Sequence, residues 1–431
     1  MAATNPSHSP SYDDLMGLFP PGSDLAPDGT LRIGGCRADE LAERYGTPAL
    51  LVDEGALRAR ARRYADGLTA RRTGGTVAFA SKAFPCTAVY RLLAEEGLSI
   101  DVASGGELAL ALAGGTDPDR LIVHGNAKTD AYLGAAVEAG AGLVVIDNFD
   151  DIDRLERILA TAPGREQAVL VRVTPDVRPD THEAISTGQR GSKFGLLLPQ
   201  AREAIARLRG SDRLRLDGLH VHIGSQILDT KPFVQAVEAV AELGDFAVYD
   251  LGGGLGSRYT YDDRPPSVEE YLDVLTAAAE ASLPAAARII VEPGRSMVAD
   301  SGVSLYRVVT VKRGGEETFV AVDGGMGDNL EVSLYGQRFE ATVATRFGGG
   351  EPCRLVGRHC ESGDTLSAGV PLRDPRPGDL IAVPVTGAYT YSLSNNYNGA
   401  RRPPVVFCRD GRSRPVVRRE TYEDLMRRDV V

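Results

Sequence analysis

The hydrophobic and polar residues between about residue 76 and residue 292 form a repeating pattern of two kinds of segment. Short apolar runs, each bounded by glycine, proline or aspartate, alternate with longer amphipathic stretches. This pattern is typical of buried parallel strands that are connected by helices. The predicted strands number eight, at 76–80, 99–102, 121–124, 143–146, 168–173, 216–222, 247–250 and 288–292. Eight such strands close a TIM (β/α)8 barrel, so we expect an α/β fold.

The pattern changes after about residue 300. Valine-rich segments with alternating polar positions follow, at 304–312, 318–322, 341–346, 380–384 and 404–409. Alternation of this kind predicts antiparallel β structure. An additional apolar run at 49–52 precedes the barrel, and we expect it to join this second, all-β domain. The predicted domains are therefore a barrel at 48–299 and a β domain formed by both chain ends, 1–47 and 300–431.

The composition narrows the possible partners. The chain has 431 residues, of which 43% are hydrophobic, and a net charge of -11. An acidic chain of this kind is not expected to bind nucleic acid. No run approaches the roughly 18 apolar residues of a membrane span, and the first residues lack the order of a signal peptide, so we expect a cytoplasmic protein without a membrane partner. Five cysteines without metal-ligand spacing predict neither a disulfide framework nor a structural metal.

Lys82 follows the first predicted strand directly. The chain contains five lysines and forty-three arginines, so arginine is its general surface cation and a lysine at this position calls for a reason. The carboxyl ends of barrel strands are where catalytic groups lie. A lysine amine there can form a Schiff base, which a guanidinium cannot.

Other strand ends also carry polar residues. Glycines 252–254 follow the seventh strand and Arg295 follows the eighth, where this fold commonly binds phosphate. Ser257 stands where a G-x-G-x-x-G motif would have its last glycine, which argues against a dinucleotide site. His220 and His222 lie two residues apart on the sixth strand and could be metal ligands in a hydrolase, but only His124 among the other histidines ends a barrel strand. We expect one packed histidine and one functional histidine instead, and no metal.

One cofactor accounts for these features together. Pyridoxal phosphate needs an amine, an anion-binding turn, a flat group against its ring and an acidic partner for its ring nitrogen. Lys82, glycines 252–254 with Arg295, His222 and Glu292 supply these in turn.

The sequence also resembles a known family over nearly its whole length, from about residue 47 to residue 425. It is similar to the fold-type III pyridoxal-phosphate decarboxylases, which share the alanine racemase and ornithine decarboxylase-like fold, and within them to diaminopimelate decarboxylase. The segments that carry the resemblance are 80–83 (ASKA), 101–107 (DVASGGE), 124–126 (HGN), 192–195 (SKFG), 220–226 (HVHIGSQ), 252–254 (GGG), 292–295 (EPGR), 322–326 (VDGGM), 334–336 (LYG), 360–364 (CESGD), 387–389 (GAY) and 396–398 (NYN).

The resemblance implies roles for several of the matched residues. Lys82 would form the imine with the cofactor, His222 would stack on the ring, and Glu292 would meet the ring nitrogen. The other residues implied around the cofactor are Asp101, Ser225, Gly253, Gly254, Gly294, Arg295 and Tyr389.

The resemblance also implies a homodimer whose active sites are shared across the interface. Cys360 and Glu361 would reach the site from the other subunit, and Cys360 would transfer a proton after carbon dioxide has left. Without the resemblance, an inert buried thiol is the ordinary interpretation of such a cysteine.

One stretch departs from the family pattern. Diaminopimelate decarboxylases usually have Asn-Leu-Arg-Pro before a Leu-Tyr-Gly motif, and the arginine binds the distal carboxylate of the substrate. Here the stretch is 329–332 with the sequence NLEV, so Glu331 replaces that arginine. Glu331 thus has the charge opposite to that of the family residue at this position. The residues expected at the substrate are Arg295, Glu331, Tyr335, Glu361 and Tyr389. We hypothesise a related amino acid as the substrate, in a specialised biosynthetic pathway.

Alternatives remain open at this stage. If Glu331 faces solvent, Arg295 and Tyr335 could suffice for meso-diaminopimelate, and the product would be L-lysine. The chain could also be a non-catalytic relative that binds the cofactor or a partner protein, or a racemase with the same barrel.

Overall fold

We describe the protein from a computed structural model. The structure describes residues 11–162, 164–177, 180, 187–189, 191–315 and 317–430. The chain divides into two compact units. The barrel unit comprises Arg60–Gly256 and Arg264–Met297, and the sheet unit comprises Met1–Ala59, Ser257–Asp263 and Val298–Val431. The domain boundaries predicted at residues 48 and 299 stay a prediction, and residues 1–10 of the predicted β domain lie outside the described residues.

The barrel unit is built on eight parallel strands that close on themselves. Each strand pairs with the next along the chain, and the eighth pairs with the first. The closed barrel predicted from the sequence is thus confirmed. Its strands, one to eight, are Thr76–Ala80, Ser99–Val102, Leu121–Val123, Leu143–Ile146, Gln167–Thr174, Leu214–Val221, Val248–Asp250 and Arg288–Val291. A short strand, Leu196–Leu197, adds to strand five.

Four helices of the barrel unit begin at residues whose side chains cap them. Ser104, Thr129, Asn148 and Ser267 each accept a hydrogen bond from the backbone N–H three residues ahead, which pairs one of the free donors of a helix start. The main helices between the strands are Thr87–Glu95, Gly105–Ala113, Asp130–Ala139, Phe149–Ala160, Leu198–Arg209, Lys231–Ala241 and Val268–Ser282, and Glu54–Arg71 leads into the barrel.

Apolar side chains fill part of the barrel interior. Several strands are buried at every residue, as expected of strands that are covered on both faces. The buried cluster consists of Ala78, Ile122, Leu143, Val145, Ala168, Leu170, Val248 and Ile290. This cluster fixes the strands and so positions the residues that follow them.

The sheet unit contains a second large sheet. Its main path runs in the order Thr365–Leu372, Glu351–Val356, Glu317–Val322, Gly302–Gly314, Ala49–Asp53, Val405–Arg409 and Arg412–Val417, and Leu380–Pro384 pairs with Gly302–Gly314. The early strand Ala49–Asp53 joins this sheet as predicted.

Two details of the sheet unit differ from the prediction. Two strand pairs are parallel rather than antiparallel, namely Glu317–Val322 with Glu351–Val356 and Val405–Arg409 with Ala49–Asp53. The segment predicted at 341–346 has only a two-residue strand, Thr342–Val343. Alternation within a strand reports which face is buried but not the direction of its neighbour, so the sequence pattern could not show this.

A small sheet near the start of the described chain was not predicted. It consists of Asp24–Leu25, Leu31–Ile33 and Cys36–Arg37. Strands of two or three residues are too short to show alternation. None of the helices in the described part of the chain is long and apolar enough to cross a membrane.

Candidate active site

The polar residues of the barrel unit collect at the carboxyl ends of its strands. Lys82 lies in a single 3-10 turn, Ser81–Ala83, directly after strand one. Its side chain is exposed while Ser81 and Ala83 are buried. The turn therefore presents one amine at the end of the barrel where catalytic groups are found.

Glu292 follows strand eight and is held by two histidines. His124 Nε2 lies 2.7 Å from its Oε1, and His220 Nε2 lies 3.2 Å from its Oε2. All three side chains are buried. If Glu292 is ionised it can only accept, so both ring nitrogens that face it must carry a proton. The two oxygens of Glu292 are thus fixed in direction.

The charges around Glu292 favour its ionised form. Burial by itself would raise the pKa of Glu292, but His124 and His220 together hold that pKa well below its ordinary value. Burial would lower the pKa of His124, yet Asp101 and Glu292 raise it. Burial lowers the pKa of His220 to about 3. Glu292 is therefore available as an acceptor for a protonated nitrogen.

A glycine turn after strand seven packs tightly against the ends of strands six and eight. A Cβ on Gly252 would lie 2.4 Å from the carbonyl oxygen of Val221, and one on Gly253 would lie 2.0 Å from the carbonyl oxygen of Glu292. Gly252 also has a φ of 65°, which favours glycine. The turn therefore excludes side chains and brings backbone close to any group bound there.

Arg295 and His222 follow strands eight and six, which flank the strand before this turn. Arg295 is buried, and its Nε donates to Ser225 Oγ at 3.1 Å. His222 Nδ1 accepts from the backbone N–H of Gly253 at 3.3 Å, which fixes the ring beside the turn. Burial, with Lys82 and Arg172 nearby, holds the pKa of His222 well below its ordinary value, so the ring is neutral.

These groups fit pyridoxal phosphate. The barrel unit offers an amine at Lys82, a flat neutral ring at His222, an ionised acceptor at Glu292, a cation at Arg295 and a turn that favours glycine. Asp101, also expected here, lies on strand two with its Oδ1 3.9 Å from His124 Nε2. Burial raises the pKa of Asp101 to about 7. Gly294 lies close to Ala80 at the end of strand one, because a Cβ added at Gly294 would be 3.1 Å from the Cβ of Ala80.

Sequence reasoning missed Arg172. It lies in strand five, its guanidinium is 4.5 Å from the ring centroid of Phe194, and its Nη1 is 3.7 Å from Asp147 Oδ1. Arginine is seldom buried without a partner, so a lone arginine inside the apolar run at 169–173 was a usable signal. The sequence suggested one packed and one functional histidine in the pair His220 and His222. The structure gives His220 a direct contact with Glu292 and gives His124 another, which the sequence reasoning did not predict.

The other expected residues belong to the sheet unit. Cys360 is exposed, and its backbone N–H donates to Asn398 Oδ1 at 3.0 Å. Its neighbour His359 is fixed because its N–H donates to Asp364 Oδ2 at 2.7 Å and its Nε2 accepts from Gly327 N–H at 3.1 Å. Segments that lie far apart in the sequence thus hold Cys360 in place, and His359 was another residue that the sequence reasoning did not single out.

The residues expected at the substrate differ in exposure. Glu331 begins the short helix Glu331–Tyr335 and is fully buried, which differs from the alternative in which it faces solvent. Tyr335 is half-buried and Glu361 is exposed. Tyr389 is half-buried with a φ of 62°, a conformation uncommon outside glycine that functional sites often contain.

The four side chains of His124, His220, Asp250 and Glu292 could also be considered as metal ligands. Their donor atoms lie within 4.8 Å of one another. The metal-hydrolase alternative started from the pair His220 and His222, and of that pair only His220 belongs to this cluster. The relationships of the chain to known proteins point to the organic cofactor instead.

Comparison with known proteins gives a consistent result. The family described as "Pyridoxal-dependent decarboxylase, pyridoxal binding domain" matches residues 54–299. Diaminopimelate decarboxylase of Actinosynnema pretiosum subsp. auranticum is 47% identical, with 96% of this chain and 95% of that protein covered. The Bacillus subtilis enzyme of the same name is 43% identical, with 93% and 95% covered. The crystal structure of diaminopimelate decarboxylase from M. jannaschii in complex with L-lysine superposes with a TM-score of 0.88 at 30% identity, covering 96% of this chain and 98% of that one.

The barrel, the separate sheet and these matches define a fold-type III pyridoxal-phosphate enzyme that removes a carboxyl group, a carboxy-lyase. The chain belongs to the pyridoxal-dependent decarboxylases and, among them, is similar to the diaminopimelate decarboxylases. Its cofactor is pyridoxal phosphate.

Proposed function

We propose that this enzyme decarboxylates an α-amino acid related to diaminopimelate whose distal end is neutral or cationic. The observation that carries the proposal is Glu331, an anion at the position where the family pattern has an arginine for the distal carboxylate of the substrate. The full burial of Glu331 excludes a solvated surface substitution.

The charge reversal has a large expected effect. An arginine beside a carboxylate makes a charge-assisted, two-pronged hydrogen bond, whereas a glutamate there repels it. Exchange of an attractive for a repulsive partner in a desolvated site costs several kcal/mol, and each ~1.4 kcal/mol is a factor of ten in affinity. A distal ammonium or amide group would avoid the repulsion and could donate to Glu331.

The residues of the barrel unit would divide the work on the cofactor side. When bound, pyridoxal phosphate supplies a ring that accepts the electron pair left by a departing carboxyl group. We assign Lys82 to covalent attachment of the cofactor, Glu292 to accepting a hydrogen bond from its protonated ring nitrogen and His222 to covering one face of the ring. Arg295 and Ser225, with the backbone of glycines 252–254, would hold the phosphate. Asp101 and Gly294 would border the same site.

The residues of the sheet unit would act on the substrate side. We assign Cys360 to delivering a proton to the α-carbon after decarboxylation, and Glu361, Tyr335 and Tyr389 to contacts with substrate or cofactor. As in the family pattern, Cys360 and Glu361 would come from the second subunit of a homodimer. The exposure of both residues is compatible with such a contribution.

A second candidate is decarboxylation of meso-diaminopimelate to L-lysine. The relatives that are 41–47% identical over most of the chain carry the name diaminopimelate decarboxylase. This candidate requires another residue to bind the distal carboxylate in place of the missing arginine.

Turnover measurements separate the two candidates. The purified holoenzyme would be offered meso-diaminopimelate and a panel of D- and L-amino acids with neutral or cationic distal ends, and kcat/KM would be measured for each. We expect low kcat/KM for meso-diaminopimelate in the natural enzyme and a rise in Glu331→Arg, with Glu331→Gln in between. Fast and selective production of lysine by the natural enzyme would contradict the proposal and favour the second candidate.

A further inference from the structure

His124 lies at the end of barrel strand three, buried between two carboxylates. Its Nε2 is 2.7 Å from Glu292 Oε1 and 3.9 Å from Asp101 Oδ1. Strands two, three and eight bring these groups together, although they are far apart in the sequence. A histidine with a carboxylate on each side is well placed to carry a positive charge.

His220 also contacts Glu292, but its surroundings differ. Its ring meets that of His124 edge to face, with centroids 4.8 Å apart, and two charged imidazoles at that distance would repel each other. His220 has one carboxylate within ion-pair distance, and among the described residues its Nδ1 has no hydrogen-bond partner. The positive charge therefore belongs on His124, and His220 acts as a neutral donor. The directions of their pKa shifts agree, since that of His124 is raised and that of His220 is lowered.

We propose that His124 is a positioning residue that keeps Glu292 ionised and aimed at the cofactor, with Asp101 as the counter-charge of the imidazolium. This inference rests on the proposed role of Glu292 at the ring nitrogen. Above the pKa of Asp101, about 7, the charges alternate along the row Asp101, His124, Glu292, so the negative charge of Asp101 balances that of His124. The negative charge of Glu292 is then left for a protonated ring nitrogen.

Other charged groups near His124 act on the same balance. The positive charge of Arg172 on strand five disfavours the charged form of His124. Glu107, in the helix after strand two, favours it, since the two groups attract each other when both are charged. Burial and the nearby Glu292 raise the pKa of Asp250, at the end of strand seven, well above its ordinary value. Asp250 therefore favours its neutral form. The titratable and charged groups that face this centre are Asp101, Glu107, Arg172, His220, Asp250 and Glu292.

The experiment measures binding of pyridoxal phosphate to the cofactor-free protein at about pH 8 and about pH 6. The variants are H124Q, H220Q, E292Q and Y132F, and the readout is the dissociation constant from the absorbance of the bound cofactor. H124Q keeps an N–H donor but removes the charge, so we expect binding to weaken about ten- to a hundredfold. The loss should be larger at the lower pH, because Glu292 without a neighbouring cation takes up a proton that the cofactor must displace.

The other variants act as controls of different kinds. H220Q exchanges one neutral donor for another, so its loss should be smaller and equal at both pH values. Y132F removes a hydroxyl that donates to the carbonyl of Val102 at 2.8 Å, and Val102 is the residue after Asp101. This variant should bind pyridoxal phosphate like the natural protein. Melting scans identify any variant that does not fold. If H124Q does not fold, D101N serves instead. Because the pKa of Asp101 is about 7, its loss should appear at about pH 8, where Asp101 is ionised, and fade at about pH 6.

The outcomes distinguish the inference about His124 from the proposed role of Glu292 on which it rests. Weak binding by H124Q that worsens as the pH falls supports the positioning role. Natural affinity in H124Q, or an equal loss at both pH values in H124Q and H220Q, overturns it. Natural affinity in E292Q would remove the proposed role of Glu292 and the inference with it, whereas weak binding by E292Q with normal H124Q removes the inference alone.

Discussion

Lys82 stands out because a single exposed amine follows a buried strand. Its neighbours Ser81 and Ala83 are buried, so the turn has one accessible side chain. If Lys82 carries the cofactor, borohydride reduction of the holoenzyme followed by digestion should yield a pyridoxyl label on the peptide that contains it. In K82A the label should be absent and activity lost. Lys193→Ala, another lysine of the barrel unit, is the control and should leave the label in place; a label elsewhere would contradict the assignment.

Glu340 gives a prediction about pH. It is buried in the sheet unit, and burial raises its pKa from 4.5 to about 7. Because the folded pKa is the higher one, the folded state binds a proton that the unfolded state releases between these values. The contribution to stability is therefore complete below about pH 4.5 and is lost as the pH rises to about 7.

Comparison with an isosteric variant isolates this effect. The free energy of unfolding of the natural protein should fall relative to E340Q by on the order of 1–3 kcal/mol between about pH 4.5 and pH 7, and level off above. Urea unfolding at several pH values measures it. The exposed Glu138, changed to glutamine, is the control. A constant difference between E340Q and the natural protein across this range would show that Glu340 does not titrate there.

At the scale of elements, a buried ion pair joins the segment after barrel strand three to the helix Phe149–Ala160. Lys128 Nζ lies 2.7 Å from Asp151 Oδ2 with both side chains inaccessible to solvent, and it also donates to the carbonyl of Gly125. Removal of one member leaves the other charge buried and unpaired. The pair therefore anchors the segment that begins with His124.

We expect K128M to lower the free energy of unfolding by about 3–5 kcal/mol. The double variant K128M/D151N should recover part of this loss, because it removes the uncompensated charge. Arg154→Ala is the control, since Arg154 Nη1 lies 3.9 Å from Asp151 Oδ1 with a third of its side chain exposed, and it should cost less than about 1 kcal/mol. Denaturant unfolding measures all of these. Equal stability of K128M and the natural protein would mean that the pair contributes nothing.

The same scale shows what sequence patterns can and cannot predict. The barrel strands were predicted to within two residues at each end, because their apolar runs are bounded by glycine and aspartate. The places of Lys82 and Glu292 at strand ends could be predicted, since each follows such a run. The contacts of Glu292 with His124 and His220 could not, because they depend on closure of the barrel. Parallel pairing in the sheet unit was missed for a similar reason.

At the scale of the whole molecule, the proposed sharing of active sites between subunits can be tested by mixing two inactive variants. K82A and C360A each damage one half of a shared site. A dimer with one subunit of each kind would contain one site with both natural residues and one with neither. An equal mixture that exchanges subunits should therefore recover roughly a quarter of the natural activity.

The control mixes K82A with E292Q, a second variant of the barrel unit. Both changes fall on the same side of the proposed site. In that mixture each site keeps one damaged barrel residue, so no recovery is expected. Absence of recovery in the K82A and C360A mixture, with subunit exchange demonstrated by size and mass, would argue against shared sites.

Gly253 packs directly against the carbonyl of Glu292. The proposed phosphate-binding turn and the proposed partner of the ring nitrogen are therefore structurally coupled. Any side chain at position 253 must push away the backbone of the residue that is proposed to meet the ring nitrogen. Redesign of the phosphate end of this pocket therefore cannot proceed independently of the nitrogen end. Ser225 contributes in a different way, through a side-chain hydroxyl that accepts from Arg295 Nε, so efforts to make the enzyme accept an altered coenzyme can begin there.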